Sequence, residues 1–127
     1  MLKRLIITAL SDEAWPFIDR FKLASDENQS DLRVFSNETC SLLITGIGGN
    51  RVKSVLPVFL ESICDFDNVV LFNVGIAGGH PDKTEIGEVY LVNKVTNDET
   101  VDKYSLTIPA KNEFNTMALT TVAKGIT

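Results

Sequence analysis

The side chains able to do chemistry are few in this sequence, and they fall beside glycine-rich turns. Asp12 and Glu13 stand together directly after the apolar run Leu5 to Leu10. Adjacent carboxylates at such a place serve general acid–base work or simply complement the dipole of a helix that starts there. The segment Thr45-Gly46-Ile47-Gly48-Gly49-Asn50 stands between an apolar run and a helical pattern. Glycines there let a backbone approach a ligand or a neighbouring strand closely. It is not a dinucleotide fingerprint, because Arg51 occupies the sixth position of the G-x-G-x-x-G pattern, and Lys53-Ser54 lacks the phosphate-loop spacing. A second glycine-rich stretch, Asn73 to Gly79, follows another apolar run. It reads either as a backbone wall against a flat ligand at a strand's C-terminal end or as a tight turn needing positive φ. His80, beside Pro81, is the single histidine and has no evident catalytic partner.

These residues must be positioned by the elements around them. Leu5 to Leu10 is continuous and β-branched, as expected of a strand buried on both faces. Ala14, Phe17, Ile18 and Phe21 then recur at helical spacing. Pro16 belongs in the first turn of that helix, because deeper in it removes a hydrogen bond, so the helix is expected to start near Asp12 or Glu13. Ala24 to Asp31 reads as a loop. Leu32 to Phe35 and Ser41 to Thr45 read as strands around a turn at Asn37-Glu38. A helix spanning Asn50 to Cys64, capped by Asn50 and with Pro57 as a kink, is expected next. Asn68 to Val74 and Glu88 to Val95 read as further strands, Asn97 to Asn115 as loop, and Met117 to Val122 as a last strand. The order β-α-β-β-α-β-β predicts an α/β layered domain, three-layer, with a mostly parallel or mixed sheet.

Composition narrows the function classes. The chain has 127 residues, the size of one ordinary domain. It is 44% hydrophobic and 23% charged, which is globular and argues against disorder. A net charge of −5 offers no basic footprint for nucleic acid or an anionic membrane, so neither is expected as a partner. One His and two Cys, Cys40 and Cys64, leave almost no material for a zinc or iron–sulfur centre. The two thiols are expected to be free, in a reducing compartment. The first apolar run is cut at Leu10 by Ser11-Asp12-Glu13, too short for a signal peptide or a membrane span. A cytoplasmic location is the expectation.

Three blocks carry a family resemblance. ITALSDEAWPFID (Ile7 to Asp19), LLITGIGGNRVKSV (Leu42 to Val55) and LFNVGIAGGHPDKTEIGEVYLVNKV (Leu71 to Val95) resemble, in order and spacing, the purine nucleoside phosphorylase/uridine phosphorylase superfamily. The similarity is greatest to its methylthioadenosine/S-adenosylhomocysteine nucleosidase branch and covers roughly residues 5 to 100. The resemblance implies cleavage of an N-ribosidic bond through an oxocarbenium-like ribosyl transition state. Glu13 matches the glutamate that acts as base toward the attacking water. Ile47 and Gly48 match the segment flanking the ribosyl pocket, and Ile76, Ala77 and Gly78 the segment bordering base and sugar. It also implies a purine nucleoside as small-molecule partner, a homodimer or higher oligomer, and no cofactor or metal.

Water, rather than phosphate, is the expected nucleophile. A phosphorylase needs cations near the first strand to hold a dianion, and the turn here reads Ser11-Asp12-Glu13. Two departures from the family pattern stand out. Ile76 occupies a position where many relatives place Ser or Thr, and nothing after Val95 matches the ribose-clamping Met-Glu segment or the purine-protonating Asp of the C-terminal half. Loss of the general acid costs on the order of 10²–10⁴-fold in rate. The sequence therefore reads as the N-terminal portion of a nucleoside phosphorylase-like domain. It is expected to be a nucleosidase-type N-ribosyl hydrolase, weak or inactive at this length. The alternative is a non-catalytic nucleoside-binding or dimerisation module.

Overall fold

The computed structural model describes residues 3–27, 31–63, 66–108 and 113–121. It divides into two compact units, Met1–Ala77 and Gly78–Thr127. The first unit is built on β1 (Lys3–Thr8), α1 (Ser11–Phe21), β2 (Ala24–Ser25), β3 (Arg33–Ser36), β4 (Cys40–Ile44), α2 (Gly49–Glu61) and β5 (Val69–Asn73). Its five strands run in the order β2-β3-β4-β1-β5. β1 is parallel to both β4 and β5, while β2 and β3 are antiparallel additions, so the sheet is mixed.

Period-two alternation along the strands divides the interior between the two faces. Ile6, Leu42 and Ile44 join Ala14 and Ile18 of α1 in one buried cluster. Leu5, Leu43 and Val34 join Phe59 of α2 in the other. Each face of the sheet thus receives one helix, which gives the three layers expected. The continuous run in β1 follows directly, since Leu5, Ile6 and Ile7 are all buried.

Asn37 closes the β3–β4 hairpin at the turn read from the sequence. Its Oδ1 accepts hydrogen bonds from the N–H groups of Thr39 and Cys40, both at 2.9 Å. Its Nδ2 donates to the Phe21 carbonyl at 2.8 Å, satisfying a carbonyl at the C-terminal end of α1.

Several boundaries differ from expectation. α1 starts at Ser11, so Pro16 lies beyond the first turn. The missing Pro16 N–H leaves the Asp12 carbonyl without its helical donor, and both residues are exposed, where water compensates. The start is set instead by Glu13, whose carboxylate accepts from the Leu10 N–H at 3.0 Å. α2 starts at Gly49 with Gly48 as its cap at φ 98, so Asn50 is inside the helix and does not cap it. Only glycine reaches that conformation without strain. Pro57 lies inside α2, as expected. A two-residue strand, β2, occupies part of the expected loop at Ala24–Asp31. Cys64 and the end of the last predicted strand at Val122 lie outside the described residues.

The second unit contains β6 (Tyr90–Asn97), β7 (Lys103–Ser105) and β8 (Asn115–Thr121), in the order β7-β6-β8. β6 pairs antiparallel with β7 and parallel with β8, with a bulge between Val92 and Lys94. β7 falls in the stretch expected to be loop. A turn in which the Val101 N–H donates to the Asn97 carbonyl at 2.8 Å brings it back onto β6, with Val101 at φ 63. Among the described residues, no helix is long and apolar enough to cross a membrane.

Candidate functional site

Because β1, β4 and β5 are parallel, their C-terminal ends meet at one edge of the first unit. Backbone pairing continues past the strands there: Thr45 N–H donates to Thr8 at 2.9 Å, Gly46 N–H to Ala9 at 3.0 Å, and Val74 N–H to Ile7 at 2.9 Å. The chain leaves β4 on one side of β1, passes through α2, and returns as β5 on the other side. That reversal of strand order around β1 is the arrangement that opens a ligand crevice in α/β sheets. Gly46 (φ 87) and Gly48 (φ 98) release the chain from β4 into α2 at this edge. A cleft of about 280 Å³ results, lined by Ile7, Ala9, Thr45, Gly48, Leu71 and Asn73 among others. Its walls are mostly aliphatic, with Thr45 and Asn73 as polar groups. The Thr45 hydroxyl donates to the Gly46 carbonyl at 2.8 Å.

Glu13 is the most constrained charged side chain at this edge. Oε1 accepts from the N–H groups of Ala9 at 3.2 Å and Leu10 at 3.0 Å. Oε2 accepts from the Ile76 N–H at 3.0 Å. One carboxylate therefore ties the β1–α1 turn to the segment after β5, across 63 residues of sequence. Gly75 makes this approach possible: a Cβ there would sit 3.0 Å from Oε2. A carboxylate has roughly four lone-pair sites. Three are occupied, which leaves about one to accept a hydrogen bond from a water molecule.

The remaining residues named from the sequence are placed unevenly. Ile76 meets Glu13 through its backbone N–H, while its side chain is 87% exposed. Gly48 lines the 280 Å³ cleft, whereas Ile47, 74% exposed, lines a neighbouring one. Ala77 is exposed at the end of the first unit. Gly78 belongs to the second unit, with open space where a Cβ would be. His80 is in the second unit too, where its Nδ1 accepts from the Asp82 N–H at 3.1 Å in a local turn.

Two residues that sequence reasoning passed over also reach this edge. Arg51 folds back from the first turn of α2 over Gly46, and its Nε donates to the Thr45 carbonyl at 3.3 Å. Arg33, at the start of β3, lines the same neighbouring cleft as Arg51. No local pattern could have found them, since Arg33 is brought here by antiparallel pairing opposite Ile44.

Comparison with solved structures assigns the architecture. Three structures of an MTA/SAH nucleosidase (MTAN) from Chlamydia trachomatis superpose on 98% of the chain. A point variant gives a TM-score of 0.75 at 21% identity, its complex with MTA gives 0.75 at 21%, and an adenine complex gives 0.74 at 20%. The chain has the MTAN fold. It spans 62–63% of the length of these MTAN chains. The mixed sheet with β1 between β4 and β5 is accordingly part of an MTAN-like fold. No model of a known protein family matches the chain. No curated protein matches it either.

Proposed function

We propose that the strand-end edge of the first unit is the glutamate-bearing part of a purine nucleosidase site, acting on the N-ribosidic bond of a methylthioadenosine-like nucleoside. The observation that carries this reading is the Glu13 carboxylate. Three backbone N–H groups hold it at the ends of β1 and β5, with an acceptor site to spare. The MTAN fold adds support, as do the complexes of the C. trachomatis protein with MTA and adenine. In the proposed reaction a water oxygen attacks the ribosyl C1′ as the C1′–N9 bond breaks. Glu13 takes a proton from that water, and the bonding electrons leave with the purine. With no general acid assigned, the purine departs as an anion and takes its proton from solvent, which costs on the order of 10²–10⁴-fold in rate. Ile47, Gly48, Ile76, Ala77 and Gly78 are the substrate-binding segments in this reading, and no cofactor takes part.

The test is calorimetric titration of the chain with MTA and with adenine, followed by assay of the same samples for free adenine. Binding with slow adenine release is expected. Absence of both binding and release overturns the reading.

The outer strand favours a second reading, a non-catalytic nucleoside-binding or dimerisation module. Among the described residues β5 pairs only with β1, and Leu71 and Phe72 on it are 50% and 38% exposed. Binding of MTA without release of adenine selects the module. Both readings place the protein in the cytoplasm as a homodimer or larger, which sedimentation at micromolar concentration tests; a monomer there contradicts the assembly.

A further inference from the structure

The two edges of the first unit's sheet are finished differently. At one edge β2 has only two residues and runs directly into Asp26 and Glu27. A short strand followed by charge keeps a sheet edge from pairing with another chain. At the other edge β5 has five residues, Val69–Asn73, and pairs only with β1 among the described residues. It carries no charged residue, no proline and no glycine. Its register with β1 runs from Lys3↔Val69 to Ile7↔Asn73 without a bulge. Leu71 and Phe72 on it are 50% and 38% exposed. A continuous apolar parallel strand is ordinarily buried, and an open edge of this kind is a template for a further strand.

One bond shows which way the free backbone groups of β5 point. The Val74 N–H donates to the Ile7 carbonyl of β1 at 2.9 Å. Along a strand the N–H and C=O of one residue face the same side, and successive residues alternate. Phe72 and Val70 therefore also face β1, while Val69, Leu71 and Asn73 present their backbone groups outward. Against an identical strand related by a two-fold axis normal to the sheet, this pattern is self-complementary. With Leu71 on the axis, it meets Leu71 of the partner subunit, and Val69 meets Asn73 of the partner subunit. Every outward group is then used, giving about six hydrogen bonds in an antiparallel pair. Sliding one copy to the next hydrogen-bonding register leaves Val69 or Asn73 without a partner. The faces stay matched as well: Leu71 is in register with Leu5, which packs on the α2 side, and the same side meets in both copies. Because β5 is uncharged, two chains of net charge −5 can meet along it without setting carboxylate against carboxylate on the paired strands.

We propose that the open edge of β5 is the interface with a second copy of this chain, an antiparallel β5–β5 pairing about Leu71 that joins the two sheets across a two-fold axis. This deepens the assembly reading above and rests on it, and it is independent of the nucleosidase chemistry. The experiment is sedimentation of the full chain at micromolar concentration beside Leu71→Pro and Leu71→Lys, with mild oxidation of Leu71→Cys. Leu71→Pro removes an N–H that points away from β1, so pairing with β1 is kept, and far-UV circular dichroism checks the fold. Loss of the pair of hydrogen bonds at the axis should weaken the dimer about tenfold or more. Leu71→Lys leaves the backbone intact, places like charges directly opposite each other and should weaken it too. Opposed residues of a hydrogen-bonded antiparallel pair have Cα atoms about 5.5 Å apart, within disulfide reach. Leu71→Cys should therefore form more covalent dimer than wild type. A dimer is expected for the wild type. A wild-type monomer overturns the assembly reading and this proposal with it. A dimer that Leu71→Pro and Leu71→Lys leave unchanged, or Leu71→Cys that cross-links no more than wild type, overturns the proposal alone.

Discussion

Replacing Glu13 separates its structural work from its proposed chemistry, and the size of the effect can be worked from its three contacts. Glu13→Ala removes the acceptor for the Ala9, Leu10 and Ile76 N–H groups. A shielded hydrogen bond to a charged group contributes about 1.5–3 kcal/mol, and less where water can replace the partner. Only the Ala9 bond is part-buried, so the sum is discounted to about 2 kcal/mol. With a urea m-value of about 1–3 kcal/mol/M, the unfolding midpoint should fall by about 1 M. Glu13→Gln keeps one oxygen, which can still serve Ala9 and Leu10, but its amide nitrogen then faces the Ile76 N–H donor to donor. It should cost about 1 kcal/mol. Native-state hydrogen exchange should show the Ile76 amide losing protection while the Leu10 amide keeps it. Coincident urea midpoints for wild type and Glu13→Ala, or equal loss at Leu10 and Ile76 in Glu13→Gln, would refute the three-point assignment.

Gly75→Ala places a methyl 3.0 Å from Glu13 Oε2; it should destabilise by about 1 kcal/mol in wild type and by almost nothing in Glu13→Ala, a coupling that a double-mutant cycle measures. Phe59, 1% exposed at the centre of the α2-side cluster, should cost about 3–5 kcal/mol when truncated to Ala. The neighbouring Val58, 51% exposed, should cost less than about 0.5 kcal/mol, so chemical denaturation of the pair reports which face of α2 is inside. Burial pushes the Cys40 thiol above its ordinary value of 9.0, partly offset by Arg4 and Lys3. The unfolded chain therefore loses this proton first as pH rises, so this group's contribution falls above about pH 9. Urea midpoints measured on either side of that pH in wild type and Cys40→Ser should show a steeper decline in wild type.

What could be read from the sequence was set by how local the cause is. The apolar run of β1, the 3.6-residue stripe on α1 and the Asn37 turn are determined by neighbours in the chain; the stripe and the turn lie where the pattern puts them, while β1 runs two residues earlier than the expected Leu5 to Leu10, over Lys3–Thr8. Pro16 taken by itself points to a start at Asp12 or Glu13, whereas α1 begins at Ser11. The hydrogen bond from Leu10 to the Glu13 carboxylate fixes the first residue, and an exposed, unpartnered carbonyl is tolerated in return. β7 was hidden because its residues are polar and exposed on both sides of the chain, so no alternation marks them. At the site, Glu13 and the glycine turns were visible as types at strand ends. The junction of Glu13 with Ile76, and the placing of Arg33 on the same cleft as Arg51, are products of sheet pairing across the chain. Nothing near those residues in sequence encodes them.

The most direct test of the account is the rate of adenine release from MTA by the wild-type chain and by Glu13→Gln, with both titrated for MTA binding. The account predicts slow release by wild type, unchanged order of affinity in both proteins, and loss of release in Glu13→Gln. Release at the wild-type rate by Glu13→Gln would contradict it.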